Sequence, residues 1–112
     1  MSDAADSAPA AWLDMVTASG GRSPLLIVAD NQAIATQSAD WFEQFSMAGW
    51  LYRVRLGEVP AAFCEQEAAA IAVEAKSLQA TAILAVGASA LLEVAAEAAE
   101  QAQLPLIRRE AG

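Results

Sequence analysis

A chain of 112 residues with one cysteine, no histidine and a net charge of −8 is bounded before any motif is read. Its length predicts one domain with a modest core. The missing histidine removes the usual general base, the Ser-His-Asp and Cys-His arrangements and the commonest transition-metal ligand, and the acidic balance excludes partners that need a basic face, nucleic acid and anionic membrane among them.

The opening stretch MSDAADSAPAAW has acidic residues and no basic region, unlike a secretory signal. Residues 1–8 are expected to fray. In the next segment Ser7 can cap a short helix, Pro9 suits its first position and Gly20-Gly21 can end it. Trp12 and Val16 stand four apart, so one face of that helix can dock. Hydrophobic residues make up 56% of the chain, but much of that is alanine. Alanine favours helix and fills little volume, so the bulky core must come from a few aliphatic runs and aromatics.

PLLIVAD, residues 24–30, is apolar throughout, which predicts a strand buried on both faces, as in a parallel sheet. Asp30 or Asn31 can cap the next helix, about 32–48. Ile34, Trp41, Phe42, Phe45 and Ala48 are expected on its apolar stripe, Asp40, Glu43 and Gln44 lie opposite, and Gly49 stops it. WLYRVRL, residues 50–56, alternates, which predicts a half-exposed strand toward a sheet edge. A turn is expected over 57–60. The helix that follows sets Phe63, Ile71 and Leu78 on one line. TAILAVG, residues 81–87, is a second fully buried strand. The next helix, about 89–103, turns Leu91, Ala95, Ala98 and Ala102 inward and Glu93, Glu97 and Glu100 outward. LPLIRRE, residues 104–110, is a short last strand with Pro105 near its start.

Strands alternating with helices predict parallel strands joined by right-handed crossovers. The expected fold is a three-layer α/β/α sandwich of Rossmann-like type with about four strands. Residues 1–21 form a tail and short helix, and residues 22–112 form the single α/β domain. The lone Cys64 has no disulfide partner within the chain, which points to a reducing, cytoplasmic setting.

Ligands of such sheets bind beyond the carboxyl ends of the strands, which selects Asp30-Asn31, Gly57-Glu58, Gly87-Ala88-Ser89 and Arg108-Arg109. Gly87-Ala88-Ser89 is the leading candidate, because a glycine turn into a helix points free N–H groups outward with the helix dipole behind them. The turn is neither GxGxxG, GxxxxGK[ST] nor GxSxG, so a purely structural turn is the ordinary reading. Asp30 reads first as a helix cap, Arg108 and Arg109 as solvated charge, and Cys64 as a packed or idle thiol. The Glu93/Glu97/Glu100 stripe reads as a solvated face, and Trp12, Trp41 and Trp50 as core or interface.

SPLLIVADNQAIATQSADWFEQFSMAGWLYRVRLGEV, followed by EAKSLQATAILAVGASALLEVAAEAAEQAQLPLI, resembles the nucleotide domain of the iron-containing alcohol dehydrogenase and glycerol dehydrogenase superfamily. In that family a strand ending in Asp leads to a helix, an AG stop and a strand ending near Gly. A GGGS turn, an Asp-x-Ala-Lys stretch and LP come next. Gly87, Ala88, Ser89 and Ala90 lie on GGGS, Glu93 on the Asp and Ala96 on the Lys, so only the first glycine is kept and the lysine is gone. The resemblance covers about residues 22–110. It implies that Gly87, Ala88, Ser89 and Ala90 receive a dinucleotide pyrophosphate and that Asp30 helps hold the adenosine ribose. It further implies that NAD(P) is the cofactor, weakly held because alanine and serine crowd the turn. The family's catalytic metal is held by an Asp and three His on a helical domain, which this sequence does not supply. The resemblance therefore implies a stand-alone or relic nucleotide half without catalysis of its own. The alternative is a non-catalytic interaction module that has lost its ligand. A homo-oligomer or a larger protein partner is expected. The aminoimidazole-ribonucleotide carboxylase mutases share the strand–turn–helix rhythm, but their Ser-Asp turn and His-Arg motif are missing here.

Overall fold

The computed structural model describes residues 11–57 and 64–110. The expected roles of Ser7, Pro9, Glu58 and Phe63, the fraying of residues 1–8 and most of the 57–60 turn lie outside these residues. In chain order the elements are α1 (Trp12–Ala18), β1 (Leu25–Ala29), α2 (Asn31–Trp41), a π-helical turn (Phe42–Ser46), β2 (Tyr52–Leu56), α3 (Cys64–Leu78), β3 (Ile83–Gly87), α4 (Ser89–Ala102) and β4 (Leu106–Glu110). The four strands form one parallel sheet in the order β2-β1-β3-β4. The fold is the expected Rossmann-like α/β sandwich.

Side-chain alternation along the strands sorts the core into two layers. Leu25, Ile27 and Ala29 of β1 and Leu84 and Val86 of β3 pack with Trp12, Val16, Trp41 and Phe45, so α1 and α2 cover that face. Leu26, Val28 and Ile83 turn to the other face, against Ala68, Ile71 and Ala75 of α3 and Leu91, Val94 and Ala98 of α4. Both central strands are buried along their whole length, which is why their sequences are apolar without alternation. Bulky aromatics fill the first layer. In the second, alanine-lined helices lie close to one another and to the sheet.

The stripe expected on the second helix holds only in part. Trp41 and Phe45 are buried, whereas Phe42 is 59% exposed and Ala48 is also exposed. A π-helical turn begins at Phe42, and its wider winding turns Phe42 away from the face that Trp41 and Phe45 share. Phe45 stacks on Trp50 and meets Tyr52, with ring centroids 5.5 and 5.8 Å away. In the same turn Gln44 Oε1 accepts a hydrogen bond from Leu13 N at 3.0 Å, which ties α1 down. Trp12 and Trp41 meet edge to face, centroids 5.9 Å apart.

Edge strand β2 carries its polar side chains toward α3. Arg55 bonds Glu67 through Nε at 3.1 Å and Glu74 through Nη1 at 2.6 Å, and Arg53 also reaches Glu74 at 3.3 Å. The hydrogen bond to Glu67 leads the effects that raise the Arg55 pKa above its ordinary range, so Arg55 stays charged at every working pH. No helix among the described residues is long and apolar enough to cross a membrane.

Candidate functional site

The chain runs from β1 outward to β2 and then crosses back over β1 to β3. The order therefore reverses between β1 and β3, and the carboxyl ends of those two strands are the switch point at which open α/β sheets place their ligand cleft. Asp30 and Ala88 are the first residues beyond them, and the structure brings the two together across 58 positions of sequence.

Asp30 is the N-cap of α2, as its position before an amphipathic helix predicts. Its extended backbone lets Oδ1 accept from Ala33 N at 2.9 Å. The other oxygen, Oδ2, accepts from Ala88 N at 3.2 Å. One carboxylate thus receives a backbone N–H from the start of each of two helices whose dipoles converge on the cleft.

Gly87 makes this contact possible. A Cβ at position 87 would lie 2.7 Å from Asp30 Oδ2 and 2.8 Å from Leu91 Cδ2. Leu91, in the first turn of α4, also fills the space beside the end of β2. A Cβ on Gly57 would meet Leu91 Cδ1 at 2.5 Å and Val28 Cγ1 at 2.9 Å. The two glycines, the aspartate and the leucine form one packed cluster across three strand ends. Leu91 was expected on the inner helix face, but its place between two strand-end glycines was not anticipated. The available signal is the spacing, a large aliphatic residue one helical turn after the glycine.

Ala88, Ser89 and Ala90 are exposed, and no side chain caps α4. Ala88 N–H is committed to Asp30. Leu92 N donates to Ala88 O at 3.1 Å, which starts the helical ladder. Ser89 and Ala90, in the first turn, are left with N–H groups that need no partner within the helix. Arg109 is not in the cleft: its guanidinium stacks over Trp12, 5.3 Å from the ring centroid, on the α1/α2 side of the sheet. Glu93, Glu97 and Glu100 lie exposed along α4. Among the described residues no three His, Cys, Asp or Glu side chains gather closely enough to hold a metal ion.

A comparison with solved structures finds the chain similar to the crystal structure of a "putative alcohol dehydrogenase" from Ralstonia eutropha JMP134, with a TM-score of 0.64 and 18% sequence identity. The match covers 87% of this chain and 26% of that one, so the chain spans about a quarter of the length of the protein it resembles. At this identity the likeness is one of fold. No family model matches the chain, and no curated protein matches it.

Proposed function

We propose that these residues form a dehydrogenase-type nucleotide domain whose phosphate seat is filled by its own aspartate, and that the domain works by binding another protein rather than by catalysis. The observation that carries this reading is the hydrogen bond from Ala88 N to Asp30 Oδ2 at the switch point. A phosphate approaching that amide meets a carboxylate already on it. Two like charges about 4 Å apart cost roughly 1 kcal/mol in water and roughly 4 kcal/mol near a protein surface. The dipole of α4 returns only about 0.3–1 kcal/mol, so repulsion outweighs attraction. The kinship of the fold with an alcohol dehydrogenase supports descent from a nucleotide-binding part. The lack of any histidine in these 112 residues supports a non-catalytic role, and the single cysteine supports a cytoplasmic setting.

A second reading, weak binding of NAD(P) or phosphate, is favoured by the exposed turn at Ser89 and Ala90 and by the spare lone pairs of Asp30, which can accept ribose hydroxyls. Its Kd would lie on the order of 0.1–1 mM, about −5.5 to −4 kcal/mol. Calorimetry with NAD, NADP, ADP-ribose and phosphate separates the two. The native chain should give no binding heat. Asp30→Asn retains an oxygen for the α2 cap but frees Ala88 N–H and removes the charge, and it should gain measurable phosphate affinity, more so when combined with Ala88→Gly and Ser89→Gly. Dinucleotide binding by the native chain in the sub-millimolar range overturns the first reading and installs the second.

A further inference from the structure

A groove of about 750 Å³ runs between the start of α3 and the outer flank of α4, with Ala90, Val94 and Cys64 along its floor and Glu65, Glu93 and Glu97 on its rim. Gln101 also lines it and donates from Nε2 to Glu97 Oε2 at 3.2 Å. Other glutamates of α3 are neutralised, Glu67 by Arg55 and Glu74 by Arg53 and Arg55. Among the described residues the three rim glutamates have no such cation, and all three are exposed. Glu93 and Glu97 are four apart on one helix, where like charges oppose helix formation, so the helix keeps this pair against its own preference.

We propose that this groove docks a basic segment of a partner protein, with Lys or Arg side chains set against the rim glutamates and one apolar side chain laid on Val94 and Ala90. The inference rests on the reading of the domain as a protein-binding one. Charge complementarity selects the occupant. A second copy of this chain brings another net charge of −8 and is repelled at long range, whereas a basic segment is attracted. The apolar floor gives such a segment a contact that a free cation does not use.

The test is fluorescence anisotropy with a short labelled peptide of lysine and alanine carrying one central leucine. Glu93→Gln with Glu97→Gln should weaken binding about tenfold, and replacing the peptide's leucine with alanine should weaken it further. Asp14→Asn with Glu43→Gln removes the same charge from exposed positions in the opposite layer and should leave binding within about twofold. Equal losses in the two double variants would mean attraction to net charge alone and would overturn the proposal, as would no binding at low salt. Self-association of the native chain in sedimentation, abolished by Glu93→Gln with Glu97→Gln, would make a second copy the occupant and also overturn it. The variants replace exposed side chains and relieve a repulsion, so they keep the fold. NAD binding by a chain that also takes the peptide removes the reading of the cleft and leaves the groove. A chain that binds neither loses the groove alone.

Discussion

At position 87 the space for a methyl group is already taken by Asp30 Oδ2 and Leu91 Cδ2. Gly87→Ala should therefore cost about 1–3 kcal/mol, the range for overpacking a filled site, and break the Asp30–Ala88 contact. Urea unfolding measures the first effect, and the chemical shift of the Ala88 amide reports the second. Asp30→Ala should cost about 0.5–2 kcal/mol from the lost α2 cap. The cap was legible from the sequence because capping is local, an acid just before a helical pattern. The bond to Ala88 was not, because only the strand order brings residues 30 and 88 together. Tyr52 offers a pH handle. Burial raises its hydroxyl pKa above the ordinary 10.0, so the folded state holds the proton more tightly than the unfolded chain does. The associated stability is fully present below about pH 10 and is lost as pH rises through the higher folded value. Ultraviolet titration should place the tyrosine midpoint above that of the urea-unfolded chain.

The π-helical turn separates two phenylalanines that a regular helical wheel puts on one stripe. Phe45→Ala should cost about 3–5 kcal/mol, and Phe42→Ser should stay within about 0.5 kcal/mol, as thermal unfolding of each variant will report. Periodicity cannot foresee the turn, because the wheel assumes constant winding, and the contacts that Phe45 makes there with Trp50 and Tyr52 come from later in the chain. A similar gap attends the ends of α3 and α4. Gln79 and Gln103 adopt φ near +60°, and the amides one residue on bond back to Ala75 and Ala99, a cap usually built with glycine. Gln103→Gly should raise stability by about 0.5–1 kcal/mol. The Arg55 network was foreshadowed only by the polar alternation of β2. Its side chains are less than a third exposed, so Arg55→Met should cost about 1–2 kcal/mol, whereas the more exposed Arg53 should matter less than about 1 kcal/mol.

For the molecule as a whole, the alternation of two wholly apolar strands with helices made the layered parallel sheet readable from sequence, because burial on both faces leaves no other place for such strands. The order β2-β1-β3-β4 was not readable, since hydropathy records how deeply a strand lies and not which neighbour it pairs with. β2 and β4 each pair on one side only, whereas β1 and β3 are paired on both. That asymmetry should appear when the protein is moved into heavy water. Deuterium should enter residues 52–56 and 106–110 through small openings at the sheet margins. Residues 25–29 and 83–87, hydrogen-bonded on both sides, should admit it only when the whole fold opens. The last protons to leave should therefore come from two segments more than fifty positions apart, and a destabilising change such as Phe45→Ala should speed both by the same factor.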